Sequence, residues 1–237
     1  MLRRMEPDLD LALGVLWYLV LLFSLTFHEA AHAWAAQRGG DATAYHGGQV
    51  SLDPRPHIRR EPLGTIFFPM ISFGMWGYMF GWASTPYDPT WADRYPRRAA
   101  WMAAAGPAAN LLLVIAAGLL IRVGMLSELF DVPEYLGFAR IVVGVDGGLW
   151  STAATMLSIT FTLNLLLFTF NLIPVPPLDG SAAVGLLLHE DRARELHRLM
   201  RRPGFSLMGL LVAWFVFPTL FGPIFGFSLQ LLYPEFM

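Results

Sequence analysis

Five long stretches without charged residues alternate with polar segments along this chain. They cover residues 11–27, 62–87, 99–121, 147–178 and 203–234. Each is as long as, or nearly as long as, the roughly 20 apolar residues that a helix needs to cross a bilayer. Because a helix satisfies its own backbone groups inside a membrane, the pattern predicts an all-α polytopic membrane protein with about four to six transmembrane helices.

Glycine and proline interrupt this pattern. Gly39 and Gly40 are typical of a helix end, and that helix would begin near Leu11. Residues 62–87 contain seven glycines and prolines, so we expect a re-entrant segment there that enters and returns without a net crossing. Residues 49–52 lie between turn signals, which indicates a short strand or hairpin close to the functional site.

The C-terminal third has a different character. A helix from Gly148 to about Asn171 runs into a proline-rich turn that prevents its continuation. Residues 189–202 are Arg-rich and amphipathic, and the apolar stretch after them is either one kinked span or two short pieces, because it contains two prolines. We expect one membrane domain over residues 1–237, with a core at about 11–180 and the amphipathic segment and C-terminal helix or helices at 181–237.

Composition narrows the function. The chain is 55% hydrophobic and 14% charged, with a net charge of −2 and no basic stripe among aromatic residues, so nucleic acid is not an expected partner. The absence of cysteine excludes a disulfide framework, a thiol nucleophile and a Cys-ligated metal. Any metal must rest on His, Asp and Glu. Residues 11–27 are followed by no small-residue cleavage site, so we expect them to be retained.

A His/Glu motif lies near the end of the first predicted helix. His28 and His32 are four residues apart, so both imidazoles lie on one helix face with a separation that suits one Zn²⁺. Glu29 is then placed to act as the general base for a metal-bound water. The alternative is a pair of interfacial histidines with Glu29 bonded to a neighbouring helix, but such groups are costly at membrane depth without a partner.

A catalytic zinc commonly takes three protein ligands, so a third residue must reach the same depth. Asp179 is the best candidate, because it follows an apolar helix and a proline-stiffened turn, and Gly180 allows close approach of the backbone. The alternative for Asp179 is a solvated turn residue before a helix. The remaining histidines lie in polar, Arg-flanked segments and are expected to be interfacial or solvated: His46, His57, His189 and His197.

With these motifs the sequence resembles the site-2 protease family of intramembrane zinc metalloproteases, in a compact form without PDZ or CBS domains. The resemblance rests on three separated motifs: His28 to His32 followed by Ala33, Ala35 and Ala36; Gly106-Pro107 with Asn110; and Asn171 with Pro174, Pro176, Leu178, Asp179 and Gly180. The resemblance covers the chain from about Leu11 to Gly180.

The resemblance implies hydrolysis of peptide bonds in transmembrane or membrane-tethered substrates, with Zn²⁺ held by His28, His32 and Asp179, and Glu29 as the base. It also implies substrate-binding roles for four further positions: Asn171, Pro177, Gly81 and Trp82. Gly81 and Trp82 would belong to an edge strand that pairs with an unwound substrate segment. We expect a multi-pass protein of a prokaryotic cell membrane; without PDZ or CBS domains, a regulatory membrane protein would be an unidentified partner.

The metal constrains the topology. His28 lies about 15 Å before the end of its helix, whereas Asp179 lies just past the end of its own helix. Both helix ends must face one side, which requires an even number of crossings between them. On this topology twelve of the 16 arginines fall on the side of the metal, and only Arg3, Arg4, Arg122 and Arg140 fall on the other. Because basic residues are enriched in the cytoplasm, the site is expected nearer the cytoplasmic face.

Two other functions fit part of the pattern. A membrane metal transporter would also contain intramembrane His, Glu and Asp, but its ligands should continue along a path, whereas these gather at one depth. A catalytically inactive relative that binds membrane peptides would keep the fold without the chemistry. Asn110, Asn164 and Asn171 lie at membrane depth, and each can form hydrogen bonds between helices or, for Asn171, contact a substrate.

Overall fold

The computed structural model of the chain describes residues 10–202 and 204–234, and these are mostly helical. Their α-helices are α1 Leu11–Gly39, α2 Thr43–His46, α3 Pro54–Arg60, α4 Phe68–Trp76, α5 Pro89–Arg94, α6 Pro96–Leu126, α7 Leu149–Asn171, α8 Asp179–Ala183, α9 Glu190–Met200 and α10 Phe205–Leu232. A π-helical turn, Leu63–Phe67, precedes α4, and a 3₁₀ turn, Val184–Leu187, follows α8. The strands β1 Phe130–Asp131 and β2 Val143–Gly144 form an antiparallel pair.

Four helices are long and apolar enough to cross a membrane. They are α1, α6, α7 and α10, with 29, 31, 23 and 28 residues. At 1.5 Å per residue each exceeds the roughly 30 Å of a bilayer core. The prediction of an all-α polytopic membrane protein with about four to six spans is confirmed. The C-terminal apolar stretch forms the single helix α10, although Pro218 and Pro223 lie inside it.

Helix α6 lies at the centre of the bundle and packs along both α1 and α7, which also contact each other. Alanines allow the close approach, because Ala36 of α1 and Ala99, Ala103 and Ala117 of α6 are all buried. Helix α10 packs against α7 and crosses the turn after it at Gly209, where a Cβ would collide with the carbonyl oxygen of Pro176. The three central helices therefore form the frame on which the site is built.

Caps mark the ends of α1. The side chain of Asp10 accepts a hydrogen bond from the Leu13 N–H at 3.0 Å, and Gly40, the residue directly after the helix, has a φ of 98° that favours glycine. The carbonyl of Gly39 accepts hydrogen bonds from Trp91 Nε1 and from Arg98, both at 3.0 Å. The end of α1 thus lies beside the start of α6, so the chain between them makes no net crossing, as predicted.

Residues 62–87 turn back on themselves. The π-helical turn and α4 together have too few residues to span a bilayer, and α4 ends at Gly77 with a φ of 76°. The chain then runs without regular structure back to its starting point, where the Trp82 N–H donates to the Gly64 carbonyl at 3.1 Å. A side chain at Gly64 or Gly81 would collide with backbone carbonyls, so glycine is required for this contact. This is the predicted re-entrant course.

Residues 49–52 do not form the predicted strand. Side chains satisfy the local backbone instead, since Ser51 Oγ accepts from the Asp53 N–H and the Asp53 carboxylate caps α3 by accepting from the Arg55 N–H. The buried Gln49 side chain donates to the Ser84 carbonyl at 3.1 Å. The strand pair of the described residues lies in the link between α6 and α7. Arg3 and Arg4, which enter the charge argument, lie outside the described residues.

Candidate metal centre

The two histidines of the motif face each other on the inner side of α1. His28 and His32 are both 5% exposed, and their Nε2 atoms lie 2.9 Å apart. This proximity follows from helix geometry, because residues four apart lie one above the other on the same face. Their Nδ1 atoms point away from the shared space and have other partners.

Asp179 completes the group from the other side of the bundle. As the first residue of α8, its Oδ2 lies 3.1 Å from His28 Nε2 and 3.3 Å from His32 Nε2. The turn after α7 folds tightly enough that a Cβ at Gly180 would collide with the carbonyl of Leu172. Glycine at this position therefore lets the carboxylate of Asp179 reach the histidines.

The three atoms are arranged as metal ligands. Ligand atoms at 2.0–2.1 Å from a tetrahedral zinc lie about 3.3 Å apart, close to the separations of 2.9, 3.1 and 3.3 Å seen here. Among the described residues, this is the cluster of His, Asp and Glu that could hold a metal ion. Two imidazole nitrogens and a carboxylate oxygen that converge this closely are a donor set that suits zinc. The residues therefore fit a bound zinc.

Helix α6 supplies the wall behind these histidines. His32 Nδ1 lies 2.7 Å from the Met102 carbonyl oxygen, and His28 Nδ1 lies 2.5 Å from Asn110 Oδ1. Gly106 lies between these two contacts, and a Cβ there would collide with the Nε2 atoms of both histidines. Met102, Gly106 and Asn110 are spaced by four, so one stripe of α6 fits the two histidines in antiparallel register.

Comparison with known proteins agrees with this geometry. The profile described as "Peptidase family M50" matches residues 16–214. The chain belongs to peptidase family M50. It is similar to the Bacillus subtilis protein named "Putative zinc metalloprotease YwhC", with 33% identity over 179 residues that cover 74% of this chain and 71% of the relative.

It is also similar to the Mycobacterium tuberculosis protein named "Putative zinc metalloprotease Rip2", with 33% identity over 205 residues that cover 86% of this chain and 68% of the relative. No solved structure matches the chain significantly. The family and the four long apolar helices make this chain a multi-pass membrane metalloprotease. The cofactor that its donor set fits is zinc.

In this M50 chain, Glu29 lies beside the histidines and is 5% exposed. Its carboxylate lines a cavity of about 560 Å³ together with His32 and Asp179. The hydroxyl of Thr85 lies 2.7 Å from Glu29 Oε2 and donates a hydrogen bond to it. Thr85 belongs to the returning part of the re-entrant segment, so this segment directly contacts the expected catalytic base.

Several elements line this cavity beside the metal group. The returning segment contributes Ala83 to Thr85 and Tyr87, the turn before α8 contributes Pro176 to Leu178, and α9 with the residue after it contributes His197, Met200 and Arg201. Helices α6, α8 and α10 complete the lining with Ala99, Met102, Ala103, Ser181, Ala182 and Ser206. Sequence reasoning did not identify Thr85, His197 or Arg201 as cavity residues. A polar residue at the end of the apolar stretch was a signal for Thr85, but nothing local indicates that α9 folds over the site.

The expected substrate-binding residues lie in different places. Pro177 lines the cavity, whereas Gly81 and Trp82 lie against Gly64, two residues and one residue before the part of the segment that lines it. Asn171 is the half-buried last residue of α7 and is not part of the cavity wall. The substrate roles of all four remain predictions.

The other histidines stay outside the metal group, but two are more enclosed than expected. His57 is buried in α3, where its Nε2 lies 3.3 Å from the Ser51 carbonyl oxygen. Its burial contradicts the expectation of a solvated histidine, because α3 packs against α1 and its buried face includes His57. His197 faces the cavity and Asp93.

A polar clasp joins α5 to α9 beside the cavity. The Asp93 carboxylate accepts hydrogen bonds from Arg201 at 2.7 Å and from Arg198 at 3.3 Å, and it lies 3.4 Å from His197 Nδ1. Burial raises the pKa of Asp93, but the hydrogen bond from His197 and the positive charge of Arg201 outweigh it and hold this pKa below its usual range. Burial and the charge of Arg201 lower the pKa of His197.

The contact of Thr85 with Glu29 predicts a loss of activity when the hydroxyl is removed. Thr85→Val keeps the shape of the side chain but leaves the Glu29 carboxylate without its donor, and a hydrogen bond to a charged group contributes about 1.5–3 kcal/mol. Turnover of a membrane-tethered substrate should fall about tenfold or more, while the zinc content is unchanged. The control is Thr90→Val, which removes an exposed hydroxyl in α5. Equal turnover by both variants would contradict the role of Thr85.

The clasp predicts that α9 is held less stably at acidic pH than at neutral pH. Because the folded-state pKa values of His197 and Asp93 are both lowered, their contributions are present above the unfolded pKa values and are lost as the pH falls. For His197 the loss begins below about 6.5, where its positive charge would face Arg201. Hydrogen exchange in α9, corrected for intrinsic rates, should be faster at pH 5 than at pH 7.5.

Asp93→Asn should give fast exchange already at pH 7.5, and His197→Gln should reduce the difference between the two pH values. The matched control is Glu195→Gln, which changes an exposed carboxylate of α9 outside its first turn. Protection of α9 that is the same at both pH values and in Asp93→Asn would show that the clasp does not hold the helix.

Proposed function

We propose that this chain is an intramembrane zinc metalloprotease that hydrolyses peptide bonds of transmembrane or membrane-tethered proteins, in regulated intramembrane proteolysis. His28, His32 and Asp179 hold the zinc, and Glu29 is the general base. The observation that carries this proposal is the convergence of three ligand atoms within 3.3 Å beside a buried glutamate, inside a bundle of membrane-spanning helices.

The metal, the base Glu29 and its partner Thr85 have separate roles in peptide-bond hydrolysis. Zinc, when bound, supplies a water of lowered pKa and a Lewis acid for the scissile carbonyl. Glu29 accepts the proton of the attacking water and can pass it to the leaving amine nitrogen. Thr85 holds the Glu29 carboxylate in the orientation needed for this transfer.

The depth of the site supports a membrane substrate. His28 lies about 15 Å from the end of α1, and Asp179 reaches it from the end of α7. The arginines beside the ends of α1, the start of α6 and α9 lie on the same side as the metal group, which supports a site nearer the cytoplasmic face of a prokaryotic cell membrane. A helical substrate that enters at this depth must unwind locally, because its backbone carbonyls are otherwise hydrogen-bonded within its own helix.

The returning segment offers a partner for an unwound substrate. Within the described residues, Ala83 and Thr85 make no backbone–backbone hydrogen bond, and both line the cavity beside Glu29. An extended substrate that pairs with this edge would satisfy its freed backbone groups by β-augmentation. Gly81 and Trp82 start this edge, Pro177 borders the opposite wall, and Asn171 would contact the substrate after a local movement at the end of α7.

The decisive test is Glu29→Gln. Glutamine keeps the size of the side chain but cannot take the proton, so cleavage of a membrane-tethered substrate should fall by about 10²–10⁴-fold. Zinc should remain bound, because Glu29 is not one of the three ligands. The control is Glu134→Gln, in the exposed link between α6 and α7.

Undiminished cleavage by Glu29→Gln would overturn the proposal. Wild-type protein with bound zinc and no cleavage of any tethered substrate would support the inactive relative. Metal flux into proteoliposomes that survives the loss of Glu29 would support the transporter.

A further inference from the structure

A buried series of hydrogen-bonded side chains links α7 to His28. Asn110 Nδ2 donates to Asn164 Oδ1 at 2.7 Å, and Asn164 Nδ2 donates to Ser24 Oγ at 2.9 Å. Ser24, Asn110 and Asn164 are each 0% exposed. These side chains therefore join α1, α6 and α7 in the bundle interior, where a misplaced polar atom is costly.

The direction of these hydrogen bonds is set at one end by the backbone. Asn164 Nδ2 also lies 2.8 Å from the carbonyl oxygen of Thr160, one turn earlier in α7. A carbonyl oxygen only accepts, so the amide of Asn164 must present its nitrogen there. A rotated amide would place two acceptors 2.8 Å apart. Asn164 Oδ1 is thereby forced to face Asn110.

The orientation of Asn164 fixes that of Asn110 and, through it, the position of the proton on His28. Because Asn164 offers an acceptor, Asn110 must offer its Nδ2 in return, and its Oδ1 then faces His28 Nδ1. An acceptor at this position requires that Nδ1 of His28 carry the proton. The neutral imidazole then has its lone pair on Nε2, which is the atom that faces His32 and Asp179.

The backbone sets the tautomer of His32 directly. Its Nδ1 faces the Met102 carbonyl, which only accepts, so its lone pair also lies on Nε2. Asn110 occupies the corresponding position two turns later on α6. The partner of His28 is therefore the side-chain amide of Asn110, which could turn either its oxygen or its nitrogen toward Nδ1. Only the contact with Asn164 fixes which end faces the histidine.

We propose that Asn110 and Asn164 are positioning residues that hold His28 in its Nδ1–H tautomer through a relay anchored on the Thr160 carbonyl. The inference rests on the proposed zinc site. It assigns to Asn164, which touches no metal ligand, an effect on zinc affinity. Ser24 accepts the second hydrogen of the Asn164 amide but does not set the direction of the relay, so it has no comparable effect.

The test measures zinc affinity by chelator competition in detergent. Loss of an outer partner of a metal-bound histidine costs about 10–100-fold in affinity, and this loss is expected for Asn110→Leu. Asn164→Leu should also weaken binding about tenfold or more, because Asn110 loses its fixed direction. The double variant should bind no more weakly than Asn110→Leu, since both changes break one relay. Ser24→Ala should stay within about twofold of the wild type.

A second readout follows the proton itself. In protein with ¹⁵N-labelled histidine, the resonance that His28→Asn removes should show a protonated Nδ1 in the wild type and in Ser24→Ala. The two asparagine variants should lose this fixed tautomer in the zinc-free protein. Thermal unfolding is compared in parallel, and Thr162→Val serves as a buried α7 control, because its hydroxyl has no partner among the described residues.

The results separate the relay from simple helix packing. The relay would be overturned, in favour of general packing, if the double variant lost zinc affinity by the product of the two single losses. Equal losses of zinc affinity in Ser24→Ala and Asn164→Leu would also overturn it. Unchanged affinity in Asn164→Leu would also overturn it. If Asn164→Leu fails to fold, Asn164→Ala tests the same point in the same zinc competition, because it removes the amide without adding bulk. Wild-type protein that binds no zinc would instead contradict the proposed function.

Discussion

The fold depends on bringing two imidazole nitrogens and one carboxylate oxygen together inside a membrane bundle. These groups are costly to bury there unless they pair with one another or hold a cation between them. Every nearby feature serves this convergence. The stripe of α6 leaves room at Gly106 and supplies partners at Met102 and Asn110, while Gly180 lets the carboxylate approach. The metal group therefore explains why α6 lies at the centre of the bundle.

The same convergence explains the path of the chain. The end of α1, the start of α6 and the end of α7 must meet at one side, which leaves the apolar segment between α1 and α6 no room for a net crossing. The segment instead returns past Gly64 and places Thr85 on the Glu29 carboxylate. One hydrogen bond thus links the returning segment, which borders the cavity, to the expected base Glu29. The orientation of the base therefore depends on the path of this segment.

Much of this could be predicted from local pattern, and the rest could not. Helical periodicity alone pairs His28 with His32, and the proline-rich turn after α7 indicates Asp179 as their partner. The strand predicted at residues 49–52 fails because side chains satisfy that backbone. The contact of Thr85 with Glu29 and that of Asn164 with Asn110 join residues more than 50 positions apart. Such contacts depend on how helices pack, which no local signal encodes.

The position of the bound metal decides whether His28, His32 and Asp179 form one zinc site. Anomalous diffraction at the zinc absorption edge from the zinc-loaded protein should show one site within about 2.0–2.2 Å of His28 Nε2, His32 Nε2 and an Asp179 carboxylate oxygen. Zinc bound by the two histidines with Asp179 far away would contradict both the ligand assignment and the helix arrangement derived from it.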